Sequence, residues 1–470
     1  MSGDYREFMR RKSQASSDEG FRLTNPPSYL FDFQKSLVEW ACLKGRAGIF
    51  ADCGLGKTPM MLAWADAVSR ETNGNVLILA PLAVSHQIVS EGEKFGVEVK
   101  RSIDGTAHRG ISVTNYERLD KFDSSDFSAV VCDESSIIKH WSGKTQKQVT
   151  RFLSKMDYRL LCTATPAPND FVEMGTSAEA LGWLTHSEML ATFFRQVSDD
   201  EKKKRAKATD IIHSKRLSWR VLQSFGQWTL KAHAFEPFWQ WVSSWARACR
   251  KPSDLGDFDD ARFILPELIR YDHTVTPRTP PPGFLFTIPA FGLQQERAER
   301  RRTLAERSEL VVDLVKDSDS AVVWCHLNPE GDMLEREIAD SVQVKGSQHM
   351  DEKEELILAF LRGEARVLVT KAKIAGLGLN MQHCAHVVTF VDHSYEKFYQ
   401  CIRRCFRFGQ KRPVRLDVIA TEGEVNVRAN MERKEAMASE MLSAIVKYMN
   451  QSQKVTKRKS TKKVTVPTWL

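Results

Sequence analysis

Residues 51–58 read Ala51-Asp52-Cys53-Gly54-Leu55-Gly56-Lys57-Thr58, with a short apolar run at 47–50 before them and an apolar-periodic stretch at 60–68 after them. Strand, glycine-bearing turn and helix in that order are the setting a phosphate-binding loop requires. Gly54, Leu55 and Gly56 would form the cradle, the two glycines letting backbone N–H groups approach the β- and γ-phosphates of a nucleotide. The Lys57 ammonium would neutralise their charge, and the Thr58 hydroxyl would hold Mg²⁺ where the helix begins. The full pattern opens with a glycine at the place Ala51 holds here.

The chain has 470 residues, 42% of them hydrophobic, with 11 tryptophans. It is long enough for roughly three folding units of about 150 residues each. No apolar run approaches the roughly 18 residues of a membrane span, and the charged, serine-rich stretch 1–20 lacks the apolar core of a signal peptide. A soluble, cytoplasmic protein without a membrane partner is expected. The nine cysteines are scattered, and no C-x-x-C pair occurs. They read as reduced core residues rather than as a disulfide framework or a zinc site.

The net charge is +8, but seven basic residues and no acid lie from Lys447 to Leu470, which leaves the rest of the chain at +1. Any nucleic-acid surface on the body is therefore a local patch. The tail, 447–470, reads as a disordered polycation, either a non-specific holder of polyanions or simply a solvated end.

Residues 1–22 read as disordered. Gln34 follows Leu30-Phe31-Asp32-Phe33, and its amide, able to donate and accept, suits an adenine edge beside an aromatic ring. Residues 76–80, 111–114 and 129–132 are short apolar runs of the kind buried on both faces of a parallel sheet, and their alternation with helical patterns implies an α/β fold. The run 129–132 enters Asp133-Glu134-Ser135-Ser136 directly. Carboxylates at the C-terminal end of a buried strand fit a Mg²⁺ ligand in Asp133 and a base or positioner of attacking water in Glu134. Another strand, 159–162, leads into Thr163-Ala164-Thr165-Pro166-Ala167-Pro168-Asn169.

Taken in order, Gln34, GLGKT, Pro81-Leu82, Thr114-Asn115-Tyr116-Glu117, DESS and TATPAPN resemble the first RecA-like lobe of a superfamily 2 helicase-like ATPase. The TxTPxxN form resembles the Swi/Snf-type DNA translocases. In the second half, a strand at 321–325 opens a new α/β unit. Ala375-Gly376-Leu377-Gly378-Leu379-Asn380 and Gln400-Cys401-Ile402-Arg403-Arg404-Cys405-Phe406-Arg407-Phe408-Gly409-Gln410 then match motifs V and VI of that family. The resemblance implies Gly378 and Asn380 as nucleotide-side residues. Arg404 and Arg407, three apart and so expected on one helical face, are implied as cations reaching a γ-phosphate held by the other lobe.

The fold expected is thus α/β, with two RecA-like parallel-sheet lobes in tandem, 23–180 and 308–446, and a helical, tryptophan-rich insertion and connector, 181–307, between them. Six tryptophans fall from Trp183 to Trp245, and Phe235, Phe238, Trp239, Val242, Trp245 and Cys249 recur at helical spacing. They suit a packed helix or a protein-partner surface. With the basic run Lys202-Lys203-Lys204-Arg205, a nucleic-acid clamp is the other reading. Ser136 stands where many relatives carry histidine, and Arg403 where an acid is common. The compact layout looks like a bacterial or phage version of the family.

What the resemblance implies is an ATP- and Mg²⁺-dependent motor on nucleic acid, duplex DNA favoured. A strand-separating helicase on DNA or RNA, and an ATP-gated clamp without motor activity, remain the alternatives.

Overall fold

The computed structural model describes residues 18–81, 84–198, 227–290, 292–375 and 380–452. The basic run 202–205, Gly378, Leu82 and the tail beyond 452 lie outside the described residues. The chain divides into two compact units: residues Met1–Phe263 with Ala436–Leu470, and Ile264–Glu435.

The first unit begins with α1 (Asp32–Lys44), β1 (Arg46–Ala51), α2 (Lys57–Thr72), β2 (Val76–Ala80), α3 (Ser85–Phe95), β3 (Val99–Arg101), β4 (Ile111–Asn115) and β5 (Ala129–Asp133). It continues through α4 (Lys144–Leu153), β6 (Tyr158–Cys162), α5 (Met174–Leu181), α6 (His186–Phe193), β7 (Phe194–Gln196), β8 (Trp228–Leu230), α7 (Phe235–Trp245) and β9 (Ala246–Cys249). Seven strands form one parallel sheet in the order β3-β4-β2-β5-β6-β1-β9, and β7 and β8 pair antiparallel apart from it. Every residue of β2 and β4 is buried, as expected where helices cover both faces of a sheet.

The described parts of the tryptophan-rich segment do not stand apart from this unit, whereas the sequence reading closes the first lobe at residue 180. β9 pairs with β1, Gly48 opposite Ala246 through Ala51 opposite Cys249, and becomes the sheet's last strand. The reason lies in α7. Its apolar stripe of Phe238, Trp239, Val242 and Trp245 is fully buried, with Trp239 edge-on to Phe171 and Trp245 edge-on to Phe50 of β1. Indoles of that size need a large apolar partner surface, and the first lobe supplies it.

The second unit contains β10 (Leu268–Val275), α8 (Gly292–Arg302), α9 (Leu304–Val315), β11 (Ala321–Trp324), α10 (Asn328–Glu337), β12 (Ser341–Val344) and α11 (Met350–Leu361). Then follow β13 (Val367–Thr370), α12 (Ala372–Ala375), β14 (His386–Phe390), α13 (Tyr395–Ile402), β15 (Val414–Thr421) and the start of α14 (Val425–Ser452). Its six strands are all parallel, in the order β10-β15-β14-β11-β13-β12. The edge strand β10 starts well before residue 308, where the sequence reading opens this lobe. Its LIRYDHTV pattern is only partly buried and lacks the apolar run that marks an inner strand.

Two buried polar networks fix the second unit. Arg307 of α9 and Glu330 of α10 are fully buried and meet at 2.5 Å, with the guanidinium 4.7 Å above the Phe390 ring. Asp417 of β15 takes Arg415 at 2.7 Å and His386 and His273 at 2.6 Å each. Burial alone would raise its pKa, but the bonds from His386, Arg415 and His273 outweigh that and hold it at about 2.

Helix α14 passes from the second unit into the first at the Glu435–Ala436 step. Met437, Met441, Ile445 and Tyr448 from its later turns enter the same core as Phe50, Trp239 and Trp245. All nine cysteines are free thiols, eight of them buried. Among the described residues no helix is long and apolar enough to cross a membrane.

Candidate active site

β1 delivers the chain into the loop at Ala51, and α2 starts at Lys57. Gly56 caps that helix in the left-handed region, φ +72° and ψ +51°. A Cβ there would also lie 2.3 Å from Gln34 Nε2, so the position demands glycine twice over. Gln34 is buried, donates from Nε2 to the Leu55 carbonyl at 2.9 Å, and accepts at Oε1 from the Phe31 N–H at 2.9 Å. The glutamine thus braces the loop from beneath, a role its sequence position does not announce. One donor and one acceptor site of its amide are used in this way.

Lys57 Nζ donates to the Ala51 carbonyl at 3.0 Å and the Asp52 carbonyl at 3.4 Å, so the ammonium rests on the loop's own oxygens. Thr58, next in the first turn of α2, is half-buried. The loop is held from its far side by the Asp52 N–H, which donates to the carbonyl of Cys249, the last residue of β9, at 2.9 Å. That makes the late strand part of the loop's support.

β5 ends in the acid pair. The Asp133 carboxyl is pushed up to about 7, first by burial and then by the neighbouring Glu134 carboxylate. The Lys57 ammonium and the Glu134 N–H, 3.1 Å from Asp133 Oδ1, pull the other way. That Lys57 acts on Asp133 places loop and acids in one electrostatic site. The Asp133 carbonyl accepts from the buried Tyr116 hydroxyl at 2.7 Å.

Glu134 stands at φ +52° and ψ +54°, a conformation rare for a residue with a side chain. Its Oε1 accepts from the Ser136 hydroxyl at 2.7 Å and from the Thr163 hydroxyl at 2.6 Å. Thr163 Oγ1 in turn accepts from the Thr165 N–H at 3.1 Å. Further along the same loop, Asn169 donates from its backbone N–H and its amide to Glu173, at 3.0 and 2.8 Å. Thr163 is the functional neighbour that reasoning from single residues passes over. Its signal is its place directly after the buried strand β6, beside the strand that carries the acids.

In the second unit, Asn380 is exposed and its Oδ1 accepts from the Gln382 N–H at 3.3 Å. Arg404 and Arg407 do not share a helical face, because α13 ends at Ile402 and both sit in the turns that follow. The cause is Gln410, whose Nε2 donates to the carbonyls of Gln382, Cys384 and Cys405 at 2.9, 3.0 and 3.2 Å. Gly409, at φ +91°, turns the chain to allow it. A single amide thus ties the segment after motif V to the arginine-bearing turn, which the Met381 N–H also reaches through the Arg404 carbonyl at 3.0 Å. Arg403 lies over the rings of Tyr399 and Phe406, 5.1 and 5.2 Å away.

Comparison with known families falls on these same segments. The SNF2-related domain matches residues 33–214 and the helicase conserved C-terminal domain matches residues 306–409, together more than half of the chain. The chain belongs to the SNF2-related, superfamily 2 helicase-like ATPases. No curated protein matches this SNF2-related ATPase. Among solved structures it is similar to the Sulfolobus solfataricus SWI2/SNF2 ATPase core in complex with dsDNA, at 16% identity and a TM-score of 0.39 over 92% of this chain and 98% of that one.

The residues of this SNF2-related ATPase fit a magnesium nucleotide. Asp133 and Thr58 are hard oxygen donors, and the raised Asp133 carboxyl marks an acid pair that Lys57 does not fully compensate. Among the described residues no group of three or more His, Cys, Asp or Glu side chains could hold a metal ion. A divalent cation at Asp133 would therefore draw its other ligands from nucleotide phosphates and water, the usual arrangement for Mg²⁺.

Proposed function

We propose that this SNF2-related ATPase is a motor that translocates on nucleic acid, duplex DNA in preference, by hydrolysing ATP. The observation that carries the reading is Glu134, set in a left-handed conformation at the end of β5 and gripped by two hydroxyls beside the Lys57 loop. A carboxylate so constrained serves to aim an attacking water and accept its proton.

In this reading the loop N–H groups of Gly54, Leu55 and Gly56 cradle the phosphates, and Lys57 exchanges its two carbonyl partners for phosphate oxygens. Thr58 and Asp133 hold Mg²⁺, which when bound neutralises phosphate charge. Gln34 lends its remaining amide capacity to the adenine side. By the family resemblance, Arg404 and Arg407 would stabilise charge on the transferring phosphoryl group, and Gly378 and Asn380 are assigned to the nucleotide. The preference for duplex rests on the TATPAPN form of residues 163–169.

The test is ATP turnover by the full chain with single-stranded DNA, duplex DNA and RNA, paired with strand-displacement on duplexes bearing either single-stranded tail. Stimulation strongest with duplex, and no displacement, supports the translocase. Displacement makes it a helicase, and no stimulation by any nucleic acid makes it a clamp.

A further inference from the structure

Helix α4, which begins ten residues after Glu134, contains no carboxylate. Its Gln146, Val149, Phe152 and Leu153 are buried. Lys144, Lys147 and Arg151 are exposed and fall within about 60° of arc along roughly 10 Å of helix. Lys155, also exposed, continues the row past the helix end. Among the described residues none of these four cations has a carboxylate partner. Some exposed cations elsewhere are matched, Arg362 by Glu355 and Glu364 and Lys345 by Asp332 and Glu335; what sets these four apart is that they line up on one helical face. On a body of net charge +1, an unmatched row is a localised positive strip.

Two further features single out this face. A groove of about 650 Å³ runs along it, bordered by Lys147, Arg151, Gln148, Thr150, Ser154 and one acid, Glu179, which accepts from the His186 N–H at 3.4 Å. Just before α4, Trp141 is 61% exposed and stacks on His186 with ring centroids 5.7 Å apart and planes 9° from parallel.

We propose that the exposed face of α4 is a nucleic-acid contact that takes the phosphate backbone of one strand along Lys144, Lys147 and Arg151. This rests on the motor reading and adds a location to it. Phosphates of one strand recur about every 3.4 Å along a duplex axis, so the row spans about three of them. The solvent-facing Trp141 indole just before the cation row can pack on a sugar beside the phosphates that the row neutralises. The turn joining β5 to α4, Ser135–Ile138, packs against α4 and carries the Ser136 hydroxyl that grips Glu134. A strand seated here would bear on the turn that holds that carboxylate.

The experiment compares the full chain with the variant Lys144→Gln/Lys147→Gln/Arg151→Gln and with its charge-keeping counterpart Lys144→Arg/Lys147→Arg/Arg151→Lys. Affinity for a fluorescent DNA duplex is followed over a salt series, with poly-glutamate as a second probe and ATP turnover in the absence of nucleic acid as the folding control. The glutamine variant should flatten the slope of log affinity against log salt by about 2.7, from about 0.9 for each of three phosphates. The charge-keeping variant should retain the slope, and basal turnover should be unchanged in both. An unchanged slope in the glutamine variant, while nucleic acid still stimulates the parent, overturns the α4 contact and leaves the motor standing. Loss of poly-glutamate binding with an unchanged duplex slope overturns it in favour of an acidic-protein site. Failure of any nucleic acid to stimulate the parent overturns the motor reading itself.

Discussion

The Thr163 hydroxyl, just past the end of β6, donates to Glu134 Oε1 at 2.6 Å, joining two neighbouring strands of the first sheet at the acid pair. A hydrogen bond to a charged group contributes about 1.5–3 kcal/mol. Thr163→Val keeps the shape and removes the donor. Steady-state ATP turnover is expected to fall about 10- to 100-fold with nucleotide affinity little changed. An unaltered rate would show that Ser136 alone suffices to aim the carboxylate.

Glu134→Gln and Lys57→Ala are expected to fail in different ways. The glutamine keeps hydrogen bonding but cannot accept the water proton, so binding persists while turnover is lost. Removing the ammonium leaves phosphate charge without its fixed cation, at a cost of about 3 kcal/mol or more, and nucleotide binding itself is expected to collapse. Titration with a fluorescent nucleotide, set beside turnover, separates the two.

Asp133 gives a pH prediction. Its folded-state pKa of about 7 lies above the ordinary carboxylate value, so the folded protein holds the proton more tightly than the unfolded chain. Stability is therefore lost as pH rises from the unfolded value near about 4 towards 7, and then levels. Asp133→Asn mimics the protonated form and escapes this loss. Without nucleotide or Mg²⁺, its melting temperature is expected to exceed the parent's at pH 8, with the gap shrinking as pH falls to 5. A gap that stays constant across that range would assign the stabilisation to something other than the charge.

Arg407→Ala is expected to spare nucleotide affinity measured without nucleic acid and to lower stimulated turnover by about 10³-fold or more, the usual effect of removing an arginine finger. If instead the variant hydrolyses normally once nucleic acid is saturating, the arginine is a nucleic-acid contact.

Gln410→Ala removes the donor shared by three carbonyls. Leaving buried acceptors unsatisfied costs about 1–3 kcal/mol. Amide hydrogen exchange is expected to quicken selectively at 381–384 and 404–406. Uniform protection across the second unit would show that the turn holds without its amide.

The phosphate loop and the acid pair were legible because each packs its chemistry into a few consecutive residues behind a fully buried strand. Gln34 was visible as a candidate, but its bond to the Leu55 carbonyl spans 21 residues of sequence and no local pattern encodes it. β9 and β10 were missed for opposite reasons. The first is four residues hidden behind an aromatic helix that reads as a separate insertion, and the second is a polar edge strand without an apolar run. The helical spacing of Arg404 and Arg407 misled because the Gln410 side chain bonds back to carbonyls 5, 26 and 28 residues away and holds the segment in turns.

The passage of α14 into the first unit bears on how the protein is made. The core that surrounds Phe50 and Trp245 includes Met441, Ile445 and Tyr448, which leave the ribosome after the whole of the second unit. Domains of a nascent chain generally fold in the order of synthesis. Here the unit that starts first cannot finish first: its aromatic core waits, part-open, through the translation of residues 264–435, and the last turns of one helix close it.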